Sequence, residues 1–598
     1  MTLPGKTDPF LLEVLRHSFD SIAEEITLTI IRTAFSQIVR DSLDFSTALC
    51  DTQARTIAQG ICTPMHLGSF RDALLNLIEV AGDDIHPDDV FIMNDPYAAA
   101  GQHLPDIYVV KAIFNGGRHK GWAMTLAHHS DVGGIVAGSN ALGAIEIWQE
   151  GLRLPVLKLY DRGVRNETLW QIISLNVRTP DMVLGDLQAQ IAACATGARG
   201  MQRLYDRYGE STIDTAIEDL NAYAHQLALA ELSEIPKGTY RFTDHIDGIG
   251  SKPVPIRLQV EVTVTDDKVI VDWEGSSPQI DAGVNSTLPF TKASAYAALR
   301  SVLRSDIPNC HGFTEIVEVR APSGTVVNPV LPGPCGARGI TGYRMIDCLM
   351  GALAEALPER VTADGSGGST LPTISGHIDG KPFIFCETAM GVWGAAQEHD
   401  GQEGVPHIGA NQSNIPIEMI EGAYPIRIEH YGLVRDSGGA GRRRGGLAIQ
   451  RDYRCLSETA WLNVRSDKRD FPPHGLYGGE AGAPSMNRVL RADGTEEILP
   501  VLLSEPILLR RNDLFSHTMA SGGGYGNPME RDPAAVLEDV ILDKVSLPAA
   551  RDGHGVVISR SPTGYEVDER ATADLRNSAP QAANKKKKTA PQLTNTGA

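Results

Sequence analysis

Apolar residues near the start recur at spacings close to three and four: Leu11, Leu12, Val14, Leu15, Phe19, Ile22, Ile26, Leu28, Ile30 and Ile31. That period predicts an amphipathic helix running to about Val39. A polar run, Arg40-Asp41-Ser42-Leu43-Asp44-Phe45-Ser46, separates it from a strand-like segment over 47–50, and 51–54 reads as a turn. A second helix is expected from Ser69, as its N-cap, to about Val80. The pattern then shifts to short β-rich runs over 89–93, 106–110 and 122–127, the last two flanking a turn at Asn115-Gly116-Gly117. Helical spacing returns over about 168–208 and 211–235.

After Pro236-Lys237-Gly238 the period drops to two. Val260, Val262 and Val264 alternate with Glu261 and Thr263, and Val269, Val271 and Trp273 continue the pattern, as a half-buried antiparallel sheet requires. Helices are expected over about 291–303 and 343–357. Beyond Gly365 the chain reads as glycine-rich loops and short strands to about Pro528. The expected class is α+β, a large mixed fold with antiparallel sheets, packed helices and a glycine-rich C-terminal half. Soft boundaries give an N-terminal region 1–235 holding the candidate site, a middle region 236–364, a β-rich region 365–575 and a disordered tail 576–598.

Composition narrows the partners. The 598 residues are 42% hydrophobic and 21% charged, which suits a packed globular core. A formal charge of −20 argues against nucleic acid or an anionic membrane surface, since phosphate binding needs a basic face. The one basic run, Lys585 to Lys588, lies in the tail and reads as a solvated end. The eight cysteines form no C-x-x-C pair, no secretory signal is visible, and no apolar run reaches the ~18 residues of a membrane span. A cytoplasmic location with reduced thiols is expected.

The candidate chemistry concentrates in two clusters, Gly101-Gln102-His103-Leu104-Pro105-Asp106 and Ala127-His128-His129-Ser130-Asp131-Val132-Gly133-Gly134. Pro105 disfavours helix at Leu104, so His103 and Asp106 sit on an extended or turning segment. The hairpin between the clusters has the length to return His128 beside His103. Imidazole and carboxylate together suit a borderline or hard divalent ion such as zinc, manganese or iron. Asp41, which closes a helix directly before a strand, is the expected fourth ligand. On spacing alone these histidines are also compatible with ordinary hydrogen-bonded roles, and no H-E-x-x-H motif is present.

Other signatures are absent. No G-x-x-x-x-G-K-[ST] sequence occurs, and the glycine runs at 437–446 and 521–526 read as tight turns rather than anion cradles. No G-x-S-x-G elbow is present, Cys386 has no histidine near it in sequence, and Cys62, four residues before His66, reads as a core thiol.

The same segments resemble the hydantoinase B/oxoprolinase family almost end to end. The resemblance runs through Arg40-Asp41-Ser42-Leu43-Asp44, Pro64-Met65-His66-Leu67-Gly68, Asn94-Asp95-Pro96-Tyr97, His103-Leu104-Pro105-Asp106 and His128-His129-Ser130-Asp131. Later matches are Gly283-Val284-Asn285-Ser286, Pro416-Ile417-Glu418, Asp436-Ser437-Gly438-Gly439 and Gly522-Gly523-Gly524-Tyr525-Gly526. The resemblance implies a B-type subunit of an ATP-dependent enzyme that opens a cyclic amide such as hydantoin, oxoproline or a lactam. It further implies an A-type partner, with ATP and magnesium, that phosphorylates the carbonyl oxygen, and a heterotetramer of two A and two B chains. The metal, zinc or manganese, would be held by Asp41, His103, Asp106 and His128, with His66, His129 or Asp131 as general base or orienting group. Two alternatives stand beside this: a subunit of an ATP-dependent ketone carboxylase, and a non-catalytic scaffold for the ATPase partner.

Overall fold

The first apolar stripe folds as a helix over Pro9–Thr33, with Asp8 capping the amide hydrogens of Phe10 and Leu11. It stops earlier than its periodicity predicts. Asp186 Oδ1 accepts from Phe35 and Ser36 N–H at 2.7 and 3.0 Å, which draws the chain out of the helix before a short turn at Gln37–Arg40. This computed structural model describes residues 7–60, 63–368, 370–562 and 564–578, so Cys62, the basic run and the end of the tail lie outside the described residues.

Seven strands follow, β1 (Phe45–Cys50), β2 (Thr56–Gln59), β3 (Val90–Met93), β4 (Asp106–Asn115), β5 (Arg118–His128), β6 (Leu157–Asp161) and β7 (Val164–Arg165). They form one sheet in the order β2-β1-β5-β4-β3-β6-β7, with every neighbouring pair antiparallel. β4 and β5 make a hairpin about Gly116-Gly117, where both glycines take positive φ as the turn requires. Alternation divides the sheet's residues between two cores. Tyr108, Val110, Trp122, Met124 and Leu126 face the helix Pro64–Ala81, while Ile107, Val109, Ala123 and Ala127 join the main core with the helices Pro9–Thr33 and Pro180–Tyr208. Those two helices approach closely: a Cβ on Gly197 or Gly200 would stand 2.5 or 2.7 Å from Ile26 or Ile22.

The helix expected from Ser69 begins earlier, at Pro64, because proline suits a first helical position. Ser69 is interior to it, and its hydroxyl bonds His66 O and Tyr108. The helical stretch expected over 168–208 folds as two helices, Glu167–Asn176 and Pro180–Tyr208, broken where Pro180 biases Thr179 away from the helical region.

The alternating valines form β8 (Gly238–Ile246), β9 (Ile256–Val264), β10 (Val269–Asp272) and β11 (Val317–Arg320), ordered β11-β10-β9-β8. Only the β10–β11 pair is parallel. The helix Gly339–Leu353, buried along its whole length, packs on β8 and β9 and also on the helix Leu288–Val302. Among the described residues the C-terminal half contains four further sheets, two of two strands and larger ones of four and five strands around a separate core that includes Phe385, Tyr453, Leu462 and Phe515. The α+β class is thus confirmed. Its glycine runs interleave, with Gly439 N–H on Gly522 O and Gly522 N–H on Gly446 O, both bonds internal to the packing.

Candidate metal centre

The end of the β4–β5 hairpin builds the site. Asp106 opens β4 and pairs in register with His128, the last residue of β5, so two groups far apart in sequence become direct cross-strand neighbours. Just ahead of β4, a turn bonds Asp106 N–H to His103 O at 3.1 Å and folds His103 over the same point. One ligand atom from each of His103, Asp106 and His128 lies within 4.8 Å of the others, and all three residues are buried.

The polar atoms at this point have no partners. His103 Nε2, Asp106 Oδ1 and both nitrogens of His128 are buried without a hydrogen bond. His103 Nε2 and Asp106 Oδ1 stand 3.0 Å apart without hydrogen-bonding geometry. Ligand atoms ~2.0–2.2 Å from a shared ion are separated by about 3.0 Å at a right angle and about 3.4 Å in a tetrahedron. Buried orphan lone pairs cost free energy unless something occupies the point they face. The residues present therefore fit a divalent cation.

The surroundings prepare each group. His103 Nδ1 donates to Gly336 O at 2.9 Å, which fixes the proton there and leaves Nε2 as a lone pair. Burial, then Arg338, lower the His103 pKa to about 4, with Asp106 opposing. Burial, then His103, hold His128 well below the ordinary range. Both imidazoles are thus neutral at pH 7, as coordination demands. Burial works to raise the Asp106 carboxyl, but Arg338 and His103 outweigh it and hold Asp106 well below the usual range. Arg338 grips Oδ2, which leaves Oδ1 free, and its own guanidinium also bonds Gln102 and lies 4.3 Å from the Phe290 ring.

The other sequence candidates fall in different places. His66 lines the pocket beside His128, together with Asp44, Arg338, Tyr343, Gln412 and Arg465. Asp41 does not join the group: it ends the short turn and pairs with Arg40 at 2.9 Å. His129 leads away, its Nε2 3.0 Å from Gln190 Oε1. Asp131 is taken up by its own loop, accepting from Gly133, Gly138 and Arg178.

Asp44, three residues on from Asp41, lines the pocket beside His128. It is buried, its carbonyl receives His128 N–H at 3.0 Å, and Oδ1 lies 3.7 Å from His66 Nε2. Burial, then the Asp106 charge, push its carboxyl up to about 7. The pairing of Phe45 with Ala127, set only in the folded sheet, puts the residue just before β1 opposite His128, and the sequence carries no signal of it. Arg338, Glu150 and Arg465 carry no signal either, since they arrive from other segments of the fold.

Glu150 is one such support. Its buried carboxylate accepts Cys335 N–H at 3.1 Å and Gly336 N–H at 2.6 Å, and so holds the peptide that fixes the His103 tautomer. Burial pushes its pKa up to about 8, with those two bonds opposing. Glu150→Gln turns an amide N–H₂ toward one of these donors, and metal affinity is expected to fall about 10- to 100-fold. Competition with a chromogenic chelator measures it, and unchanged affinity would remove Glu150 from the scheme.

Among the described residues no helix is long and apolar enough to cross a membrane, and seven cysteines are free and buried. The hydantoinase B/oxoprolinase family model matches residues 8–528. The B component of a putative D-/L-hydantoinase of Pseudomonas sp. (strain NS671) is 31% identical over 591 residues, covering 96% of this chain and 98% of that protein. The beta chain of caprolactamase of Pseudomonas jessenii is 31% identical over 582 residues, covering 94% and 98%. The crystal structure of ATP-dependent caprolactamase from Pseudomonas jessenii superposes with a TM-score of 0.88 at 30% identity, over 96% of this chain and 100% of that one. A nucleotide-free acetone carboxylase structure gives a TM-score of 0.88 at 20% identity, over 95% and 82%, and shares the fold.

Proposed function

The chain belongs to the hydantoinase B/oxoprolinase family, and from that premise we propose that it is the B-type subunit of an ATP-dependent enzyme that hydrolyses a cyclic amide. The observation that carries the reading is the set of orphaned ligand atoms on His103, Asp106 and His128, buried at one point in a chain similar to a hydantoinase B component and a caprolactamase beta chain along nearly its whole length. An A-type partner would activate the substrate at the expense of ATP, and two copies of each chain would assemble in the cytoplasm.

An amide resists water because resonance feeds electron density into its carbonyl. With the carbonyl oxygen phosphorylated, water would add to the carbon, and the protonated ring nitrogen would leave as the C–N bond breaks. A second water would release phosphate from the resulting acyl phosphate to leave the carboxylate. His103 Nε2, Asp106 Oδ1 and one nitrogen of His128 would hold a divalent ion, zinc or manganese, with Asp44 a further carboxyl group in the same pocket. When bound, the ion supplies Lewis acidity and lowers the pKa of a water in the site.

The proton acceptor we assign is His66. Ser46 Oγ lies 3.3 Å from Thr63 O and 3.1 Å from His66 Nδ1. With its only proton on Thr63 O, Ser46 accepts from Nδ1–H, so Nε2 faces the pocket with a free lone pair. Burial lowers the His66 pKa to about 4, with Asp106 opposing, so the ring is a neutral base at pH 7. Burial of the site excludes bulk water and strengthens the hold of Arg338 on Asp106. His129 and Asp131 would support the site from outside, through Gln190 and the 131–139 loop.

The choice of acid separates two variants. Asp44→Asn is expected to lower metal affinity at least about 10-fold, while Asp41→Asn leaves it unchanged; the reverse ranking would restore Asp41.

The reaction itself is tested with the A-type partner present, by ATP-dependent ring opening of hydantoin, 5-oxoproline and a plain lactam, with and without bicarbonate. Ring opening without bicarbonate supports the proposal. Turnover of a ketone that requires bicarbonate would make the chain a carboxylase subunit. Full activity without bound metal would overturn the metal centre.

A further inference from the structure

A cavity of about 660 Å³ lies apart from the metal centre, between the helices Pro64–Ala81 and Leu288–Val302 and the segment around 309–317. Its volume is that of a small-molecule pocket. Pro64 and Gly68 line it, four residues apart on one face of their helix, while His66 lies on the opposite face of the same first turn and lines the metal-site pocket. Ala410 and Asn411 line the cavity as well, and Gln412 next to them lines the metal site. The two pockets share a wall.

The charges on the cavity wall are unevenly matched. Lys292 is neutralised by Asp72 at 2.8 Å, and Arg300 donates to Ile307 O at 3.1 Å. Glu315 faces His225 and His311, and its side chain is 45% exposed. Arg71 has no such arrangement. Among the described residues its guanidinium makes no hydrogen bond or ion pair, and its Nε is buried without a partner. Arg71 is half-buried, with Nε out of reach of water and of any acceptor, and its planar fork matches a carboxylate in bidentate geometry. Phe313, the ring of Tyr296 and Ala297 offer carbon surface among polar residues such as Gln59, Thr314 and Asn411.

We propose that this cavity is a second ligand site, separate from the metal centre, for a small organic monocarboxylate whose head group sits on Arg71 and whose carbon body lies against Tyr296 and Phe313. Arg300 also lacks a carboxylate, and its Nε is buried without a partner, but its Nη2 is engaged by Ile307 O, so the fork left open is that of Arg71, which a single carboxylate fills. A ring-opened amide is such a carboxylate, so the site is placed to sense product through the shared wall. Only this choice of probe rests on the proposed reaction; the cavity and Arg71 do not.

The test is calorimetric titration of the full chain with 6-aminohexanoate, hexanoate, N-carbamoylglycine and inorganic phosphate. One equivalent of a carboxylate is expected to bind. Arg71→Gln should weaken it about 10- to 100-fold, as loss of a charge-assisted pair does, and Asp106→Asn should leave it unchanged. Binding of the amino or carbamoyl acids but not hexanoate identifies product as the source, and equal binding of hexanoate identifies any short carboxylic acid. If Arg71→Gln does not fold, Ala297→Phe fills the cavity from another wall and should abolish binding. No carboxylate binding, preference for phosphate, loss of binding in Asp106→Asn, or survival of binding in a folded Arg71→Gln or Ala297→Phe protein would each overturn the proposal. Carboxylate binding in a chain that shows no ring opening with its partner would refute the reaction and leave this site standing.

Discussion

Asp106→Asn is expected to lose its metal and nearly all of its turnover while remaining folded. The carboxylate has two tasks in one buried place: Oδ2 neutralises Arg338, and Oδ1 is the oxygen aimed at the ligand point beside His103 Nε2. An amide performs only one of them. With its oxygen toward Arg338, the N–H₂ faces the cation site and repels; turned the other way, it presents N–H₂ to a guanidinium. The expected losses are more than about 10-fold in metal occupancy and on the order of 10³-fold in kcat/KM, or ~4 kcal/mol of transition-state stabilisation. Asp106→Ala is the less informative variant, since it strands a buried Arg338 and costs about 3–5 kcal/mol of stability in addition. Elemental analysis beside steady-state kinetics measures both quantities. Full metal content with full activity in Asp106→Asn would refute the assignment of this centre.

Lys468→Met is expected to produce the largest loss of stability, away from the metal. Lys468 is 1% exposed, and its ammonium lies 2.5 Å from Asp347 Oδ2, against Asp364 Oδ1, and 2.9 Å from Gly365 O. Asp347 also contacts His407 Nε2 at 2.8 Å, and Asp364 lies 3.8 Å from Arg344. Methionine leaves two buried carboxylates without their ammonium, Asp364 facing His474 and Arg344 and Asp347 facing His407, and breaking such a pair costs about 3–5 kcal/mol.

The dependence on pH follows from the shifts. Burial works against the charge on Lys468, but Asp347 and Asp364 outweigh it and raise its pKa, so its contribution is complete below the unfolded value near 10.5 and is lost as pH rises through the folded one. Burial works to raise Asp364, but Lys468, His474 and Arg344 hold it far below 3.8, so its contribution is present above the unfolded value and is lost as pH falls through the folded one. The pair therefore stabilises most across neutral pH. In the variant, burial of Asp364 is opposed by His474 and Arg344 without Lys468, so its pKa rises and the deficit should shrink on going from pH 7 to pH 5. Denaturant midpoints at the two pH values test this, and an equal deficit at both would show that lost packing, not charge, is the cause.

How much of this was legible in the sequence depends on the distance over which each feature is decided. The hairpin that brings His128 to Asp106 was visible, because alternation, the Asn-Gly-Gly turn and strand length are local properties that fix register. The N-terminal helix was visible as well, but not its end, since the group that stops it belongs to Asp186. Asp41 and Asp44 are three residues apart in one polar run, and composition ranks neither above the other. The pairing of Phe45 with Ala127 places Asp44 beside His128 and leaves Asp41 on Arg40.

The sequence by itself determined the α+β class, because strand period and turn chemistry act between near neighbours, and the family, through its ordered motifs. It grouped His103, Asp106 and His128 with Asp41 as candidate ligands, of which the fold brings the first three together. Only the tertiary structure decided what makes those residues usable: Arg338 on Asp106, Gly336 on His103, Glu150 behind Gly336, and Arg71 left without a counter-ion in its cavity. Each of these depends on the electrostatic cost of burying a charge or a polar atom. That cost exists only once distant segments have closed around the group and removed its water.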